Sequence, residues 1–318
     1  MSRALGRLRK LILGISEAQA SFARRGFRSG EPDLRRRLEK VGRTFVHGYN
    51  MSLVEDNLQT LAGELDLVEL EFRGFAFEGA AMGLALLDYF SIGSRNRFRS
   101  FLDGPGQSHA YMLHVGAGWA LARLPLNVSR FLSRLDPLLG WLALDGYGFH
   151  EGYFKWKRSF EKRAVPGRIS GYAVRAFDQG LGRSLWFVGC ADLGSIVAGI
   201  GGFPSCRRGD LWSGIGLACA YAGGANRRAL YRLRDAAGPY TAQVAQGAAF
   251  AAKARERAAN PAMHTELACE ILCGLSAEEA AAVTDLAIEN LSATATEPVY
   301  EMWRQRIQTR FAKEAAII

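Results

Sequence analysis

The sequence predicts a mostly α protein, because apolar residues recur at helical spacing, strong helix formers fill long segments, and strand-like alternation is scarce. Of the 318 residues, 49% are hydrophobic and 22% are charged, which is typical of globular proteins and excludes a disordered chain. The length suits one large domain or two ordinary ones. The five cysteines are odd in number and lie in the second half, which favours a reducing compartment over a secreted disulfide scaffold.

The individual helices follow from local patterns. Only residues 65–72 alternate cleanly, as a short strand or the end of a helix. Ser276 followed by Glu279 is a capping box that opens a helix. The last predicted helix is polar, and we expect it to be exposed on much of its surface. The other helices are predicted, in chain order, over residues 34–62, 76–92, 110–124, 241–258, a segment starting at 264, and 297–314.

Short matches recur at one offset along the chain. Glu78-Gly79 and Glu151-Gly152 are 73 residues apart, and Asp136 and Asp210 are 74 apart. The matches predict degenerate helical repeats of about 73 residues, packed into one elongated or globular domain. Composition bias in a chain rich in Ala and Gly is the alternative. The predicted division is a basic arm over 1–30 and a helical domain over 31–318, with units 31–104, 105–178, 179–260 and 261–318.

Positive charge is concentrated at the start of the chain. Residues 1–43 carry twelve basic and four acidic side chains, or +8 of the formal net charge of +9. Within residues 1–15, four apolar side chains fall on one helical face, which indicates a surface helix docked by its leucines or an interfacial membrane helix. Nucleic acid is disfavoured as a partner because the arm lacks interleaved aromatic residues. The apolar side chains are Leu5, Leu8, Leu11 and Ile12.

No apolar run approaches the roughly twenty residues that a membrane span needs. We therefore expect a cytoplasmic protein, with peripheral contact at the inner face of the membrane through residues 1–15 left open. The short apolar run within those residues is also unlike a signal peptide.

Several catalytic motifs are missing. No P-loop, HExxH, CxxC or GxSxG sequence occurs. GAG at 116–118 and GIG at 214–216 follow no predicted strand and lack a third glycine, so a Rossmann site is disfavoured. Cys269 and Cys273 share a helix face and are interpreted as packing residues, with metal or redox chemistry as the alternative. The sequence predicts no metal site and indicates no cofactor.

Polar side chains inside apolar segments are the catalytic candidates. Glu78 follows Phe77, and the pair His150 and Glu151 follows Phe149. A carboxyl group in apolar surroundings has a raised pKa and can act as a general acid or base. The alternative is a buried carboxylate that pairs with an arginine. His114 is a further candidate base, or a core histidine with its hydrogen bonds satisfied.

The substrate-binding candidates lie in one cluster of polar, aromatic and glycine residues. Asp210 is placed to cap a helix that begins there, which is the simpler interpretation, or to face a ligand. Trp212 and Tyr221 are predicted to stack on a flat, conjugated substrate.

Six segments together resemble the UnbL-type family, a domain of unknown function encoded in the polyketide warhead cassettes of enediyne antibiotic clusters. The resemblance covers nearly the whole chain, and its most specific block is 203–224. No catalytic residue is carried over from the family. The segments are GISEAQASFARRGF (14–27), LEKVGRTFVHGYN (38–50), GFAFEGAAM (74–82), GLGRSLWF (180–187), FPSCRRGDLWSGIGLACAYAGG (203–224) and AQGAAFAAKAR (245–255).

The resemblance implies an accessory role in enediyne core biosynthesis. Enediyne warheads are thought to begin as linear conjugated polyenes, so the implied activity is binding, and processing, of such a hydrophobic intermediate. The alternative is a non-catalytic polyene chaperone, or a scaffold that links other cassette proteins at the membrane surface. The sequence does not decide between an enzyme and a non-catalytic protein.

Overall fold

The computed structural model describes residues 3–91, 96–291 and 297–315, and within these ranges it contains helices and no strand. The prediction of a mostly α protein is confirmed. The α-helices are α1 Arg3–Leu13, α2 Phe22–Arg25, α3 Pro32–Val54, α4 Leu58–Asp66, α5 Arg73–Phe90, α6 Arg97–Leu102, α7 Ala110–Arg123, α8 Val128–Leu132, α9 Leu142–Phe154, α10 Ala173–Val188, α11 Leu193–Gly201, α12 Ser205–Ala222, α13 Arg227–Ala237, α14 Thr241–Arg257, α15 Met263–Leu272, α16 Ala277–Ile288 and α17 Val299–Ala315.

Local sequence explains most of these boundaries. Ser276 and Glu279 form the predicted capping box at the start of α16. The predicted helix over 34–62 is two helices, because the Asn57 side chain accepts N–H groups at the start of α4 and begins a new helix there. In the segment 65–72, for which the sequence allowed a short strand or the end of a helix, residues 65–66 end α4 and residues 67–72 form turns and bends.

Seven helices pack in sequence order as an array: α3, α5, α7, α9, α10, α12 and α14. Four of them carry a Gly-x-Gly pair in which the first glycine faces the preceding helix and the second faces the next. A Cβ atom on Gly180 would lie 1.7 Å from the carbonyl oxygen of Asp145, and one on Gly214 would lie 2.0 Å from that of Gln179. The glycines therefore allow backbone-to-backbone packing that no other residue permits.

The glycine pairs recur once per helix, beginning at Gly116, Gly146, Gly180 and Gly214, which are 30 to 34 residues apart. The structure does not show units of about 73 residues. Asp136 is exposed in a turn, whereas Asp210, 74 residues later, is buried within α12. What recurs in the described helices is one glycine pair in each of α7, α9, α10 and α12.

The array curves back on itself, so that its last helices contact its first. Arg37 Nε donates to the carbonyl oxygen of Ala222 at 2.8 Å, and Arg255 Nη2 donates to that of Glu71 at 3.1 Å. The interior of the curved array is consequently the core of the molecule.

The last helix, α17, covers one side of the array, packing on α14 and α16. The expectation that this helix is exposed on much of its surface fits the face that carries Arg306, Thr309 and Arg310. The other face is completely buried, at Tyr300, Glu301, Trp303 and Arg304. Two of these are charged residues, which pair inside the protein.

At the other end of the chain, α1 packs on the C-terminal end of α3 through the side that carries Gly6 and Arg9. A Cβ on Gly6 would lie 2.4 Å from the Val54 carbonyl oxygen, and Arg9 pairs with Asp56 at 2.8 Å. The interpretation that α1 docks by its leucines is wrong, since its apolar face points outward, with Leu11 82% exposed. Among the described residues, no helix is both long and apolar enough to cross a membrane.

Candidate functional site

A small cavity lies inside the array, bordered by α3, α5, α7, α9 and α10. Its volume is about 40 Å³, measured as the space open to the centre of a water molecule, which is room for a few waters. The charged side chains that line it are Glu78 and Arg183. Seven of its fifteen lining residues are aromatic, namely Phe45, Phe75, Trp119, Phe149, Tyr153, Phe154 and Phe187.

Glu78 is the acid of this cavity and is only 2% exposed. Trp119 Nε1 donates a hydrogen bond to its Oε1 at 2.9 Å. Burial raises the pKa of Glu78 to about 7, although the positive charge of Arg183 and the Trp119 hydrogen bond oppose the change. Near neutral pH the side chain is therefore present both as the acid and as the carboxylate, as a proton-transfer group requires.

Arg183 is the positively charged residue that lines the cavity together with Glu78. Its ion-pair partner is Asp145, whose other oxygen accepts a hydrogen bond from Gln179 Nε2 at 2.8 Å. Arg183 also borders a second apolar cavity of about 20 Å³, which Tyr221 lines. Arg183 pairs with Asp145, and among the described residues Glu78 has no ion pair of its own.

An open cleft of about 720 Å³ adjoins the central cavity. Arg123, His150 and Lys155 line it, and the two basic side chains, Arg123 and Lys155, give it positive charge. The side chains of Ile15, Gln19 and Phe154 line both the cleft and the cavity. Movement of these three side chains would join the two spaces.

Glu151 differs from Glu78 in its partners. Lys155 Nζ lies 2.8 and 3.0 Å from its two oxygens, and His150 Nδ1 lies 3.3 Å from Oε1. Burial opposes ionisation, but these hydrogen bonds lower the pKa of Glu151, whereas burial lowers the pKa of His150. The pair is thus a carboxylate beside a neutral imidazole. The two glutamates do not share the central cavity, and Trp119 contacts both Glu78 and His150.

The other predicted site residues are dispersed. His114 borders neither cavity nor the cleft, and its Nδ1 lies 2.7 Å from the carbonyl oxygen of Ala110. Trp212 is buried and lines none of these three spaces. Tyr221 lines the smaller cavity, where its ring packs edge-on against Phe75 at 5.1 Å. The candidate residues therefore do not form one site.

Asp210 is part of a buried ion-pair network. It contacts Arg175 at 3.1 Å and Arg304 at 2.7 Å, and both arginines also pair with Glu301. The interpretation of Asp210 as a helix cap is wrong, because α12 begins five residues earlier, at Ser205.

The sequence analysis missed Trp119, Asp145 and Arg183. A usable signal was present for Asp145 but not for Trp119 or Arg183, because a polar residue directly precedes the glycine that faces the preceding helix in α5, α9, α10, α12 and α14. These polar residues are Glu78, Asp145, Gln179, Ser213 and Gln246, and all are buried.

The described ranges contain no group of three or more His, Cys, Asp or Glu residues that could hold a metal ion. Cys269 and Cys273 are buried, and their Sγ atoms approach the carbonyl oxygens of Ala248 and Ala245. The packing interpretation fits these contacts.

Fold and site together define an all-helical protein whose curved array surrounds a carboxyl-bearing aromatic cavity. The chain belongs to the family described as protein of unknown function (DUF1702), whose model matches residues 4–311. No curated protein matches the chain, and no solved structure does.

Proposed function

We propose that this protein binds the linear conjugated polyene of enediyne core biosynthesis and takes part in processing it. The observation that carries the proposal is the aromatic cavity that contains Glu78 and adjoins an open cleft. Aromatic walls suit a flat, conjugated hydrocarbon, and one polar group among them fixes its orientation. The resemblance of the six segments to the enediyne-associated UnbL type supports the choice of ligand, whereas the matched family itself is described only as of unknown function.

The polyene would lie along the cleft, with one end in the central cavity. Because the cavity holds only a few waters, entry requires Phe154, Ile15 and Gln19 to move aside. Arg123, which lines the cleft, would attract a carboxylate at the other end of the polyene.

The chemistry that Glu78 could perform alone is proton transfer. Its carboxylate would remove a proton from a carbon next to a double bond, and the resulting acid would return that proton further along the polyene. One C–H bond breaks, another forms, and a double bond migrates, so no oxidant is consumed. A pKa near 7 suits both halves of this exchange.

The alternative function is non-catalytic, as a polyene chaperone or as a scaffold for other cassette proteins at a membrane surface. The outward-facing leucines of α1 favour it. In this function the cavity protects the polyene from solvent, and Glu78 has no chemical role.

Glu78→Gln in a producing strain separates the two functions. Gln keeps an oxygen that accepts the Trp119 hydrogen bond but cannot exchange a proton. The enzyme function predicts that the warhead is lost while the variant protein accumulates normally. Unchanged product would rule out catalysis by Glu78 and leave the chaperone or scaffold.

A further inference from the structure

Helix α1 presents an apolar face that is largely exposed, most of all at its C-terminal end. Leu5, Leu8, Leu11 and Ile12 are 37%, 50%, 82% and 70% exposed. At helical spacing these side chains lie on one side, whereas the contacts with α3 come from another side, at Gly6 and Arg9. The helix is thus held in place by Gly6, Arg9 and the core contact of Leu13, whereas Leu8, Leu11 and Ile12 keep at least half of their surface exposed.

Positive charge lies beside the apolar face at Arg7 and on the opposite side of the helix at Lys10. Arg7 and Lys10 are exposed on α1, in the part of the chain that carries most of the net charge. A second copy of α1 placed against the first would bring these like charges together. An anionic lipid surface instead satisfies both features, since it accepts leucines among its acyl chains and attracts the basic side chains.

The helix is continuous with the rim of the cleft. Gly14 and Ile15, which follow directly after α1, line the cleft, and Ile15 is fixed by two hydrogen bonds with the side chain of Asn50. A surface that binds α1 would therefore lie close to the cleft.

We propose that α1 is an interfacial helix that binds anionic lipid membranes in the plane of the surface. The lipid contact requires no polyene. That an apolar ligand then passes between bilayer and cleft rests on the proposed function, whereas lipid binding by α1 does not.

The test is flotation of the full chain with phosphatidylcholine vesicles that contain phosphatidylglycerol, with no ligand added. We expect the protein to float with these vesicles and to float poorly with phosphatidylcholine alone or at high salt. Replacing both Leu11 and Ile12 with Glu should lower vesicle binding at least about tenfold. Replacing Arg7 and Lys10 with Gln should weaken binding and reduce its dependence on salt.

The matched control replaces two apolar residues outside α1, Met263 and Leu286, with Glu; they are 87% and 64% exposed. This control should float like the wild type. The proposal is overturned if the wild type does not float, or if the Leu11 and Ile12 variant floats equally well. A change in oligomeric mass in that variant, without a change in flotation, would identify a second copy as the occupant and would also overturn it. Polyene binding plays no part in any of these outcomes, so they leave the proposed function to its own tests.

Discussion

Two buried acidic centres show how the same residue type serves different purposes in this molecule. Asp210 and Glu301 lie among two arginines, Arg175 and Arg304, with the Tyr172 hydroxyl donating a further hydrogen bond to Glu301 at 2.9 Å. Glu78 receives one indole hydrogen bond, and the nearby arginine pairs with another residue. The Asp210 centre is compensated in charge, whereas the Glu78 centre is not.

The difference teaches that burial alone does not mark a functional acid. A compensated network joins α10, α12 and α17, and its four charged side chains line neither of the two cavities nor the cleft. An uncompensated carboxyl beside a cavity keeps a pKa near neutrality and remains available for proton transfer. Three variants test this contrast.

The largest effect is expected for Arg304→Met, which removes one partner of Asp210 and Glu301. Of the two arginines, the buried carboxylates would keep Arg175 alone, so the free energy of unfolding should fall by about 3–5 kcal/mol. Urea denaturation measures the change. Arg227→Met, at an exposed pair with Glu270, is the control and should leave the free energy of unfolding almost unchanged. If the two variants lost the same free energy of unfolding, the buried network would have no special role in stability.

Glu78→Gln, unlike Arg304→Met, should increase the free energy of unfolding relative to wild type, and the increase should grow as pH rises. The folded-state pKa of about 7 exceeds the ordinary value of 4.5, so the folded protein binds the extra proton and stability falls as pH rises between these values. Gln removes that loss, so the variant should gain up to about 3 kcal/mol relative to wild type above pH 7. Urea midpoints from about pH 5 to about pH 8 measure this gain. Parallel profiles for the two proteins would contradict it.

Glu151→Gln should give a smaller effect with the reverse pH dependence. The lowered pKa of Glu151 means that its contribution is present above the ordinary value of 4.5 and is lost as pH falls. Because its partner Lys155 is half exposed, the loss at neutral pH should be about 1 kcal/mol. If Glu151 also takes part in catalysis, this folded variant should stop warhead maturation in a producing strain. Unchanged product would remove Glu151 from the mechanism.

Local patterns in the sequence predicted much of the fold. Helices α5, α7 and α14 match predicted segments to within three residues, because apolar spacing and helix propensity act locally. The break before α4 was missed, since one N-capping asparagine in a continuous apolar pattern decides it.

The site was predicted less well, because its partners are distant in sequence. Glu78 was identified from its apolar neighbours, but Asp145 and Arg183 meet across α9 and α10 only once the glycine pairs set the register of the helices. Trp212 was chosen for stacking on a ligand, yet it is a core residue. Type and spacing alone did not distinguish an aromatic wall from aromatic packing.

The central claim is that the Glu78 cavity takes a conjugated chain, and fluorescence of a linear conjugated tetraene carboxylic acid tests it most directly. Val46 lines this cavity and Val115 lines the smaller one beyond Arg183, so Val46→Phe and Val115→Phe are matched variants that each add a ring. Each should cost about 1–3 kcal/mol of stability, which thermal denaturation checks. The account predicts that wild type and Val115→Phe bind the tetraene and that Val46→Phe binds it at least about tenfold more weakly. No binding by the wild type, or equal binding by all three folded proteins, would contradict it.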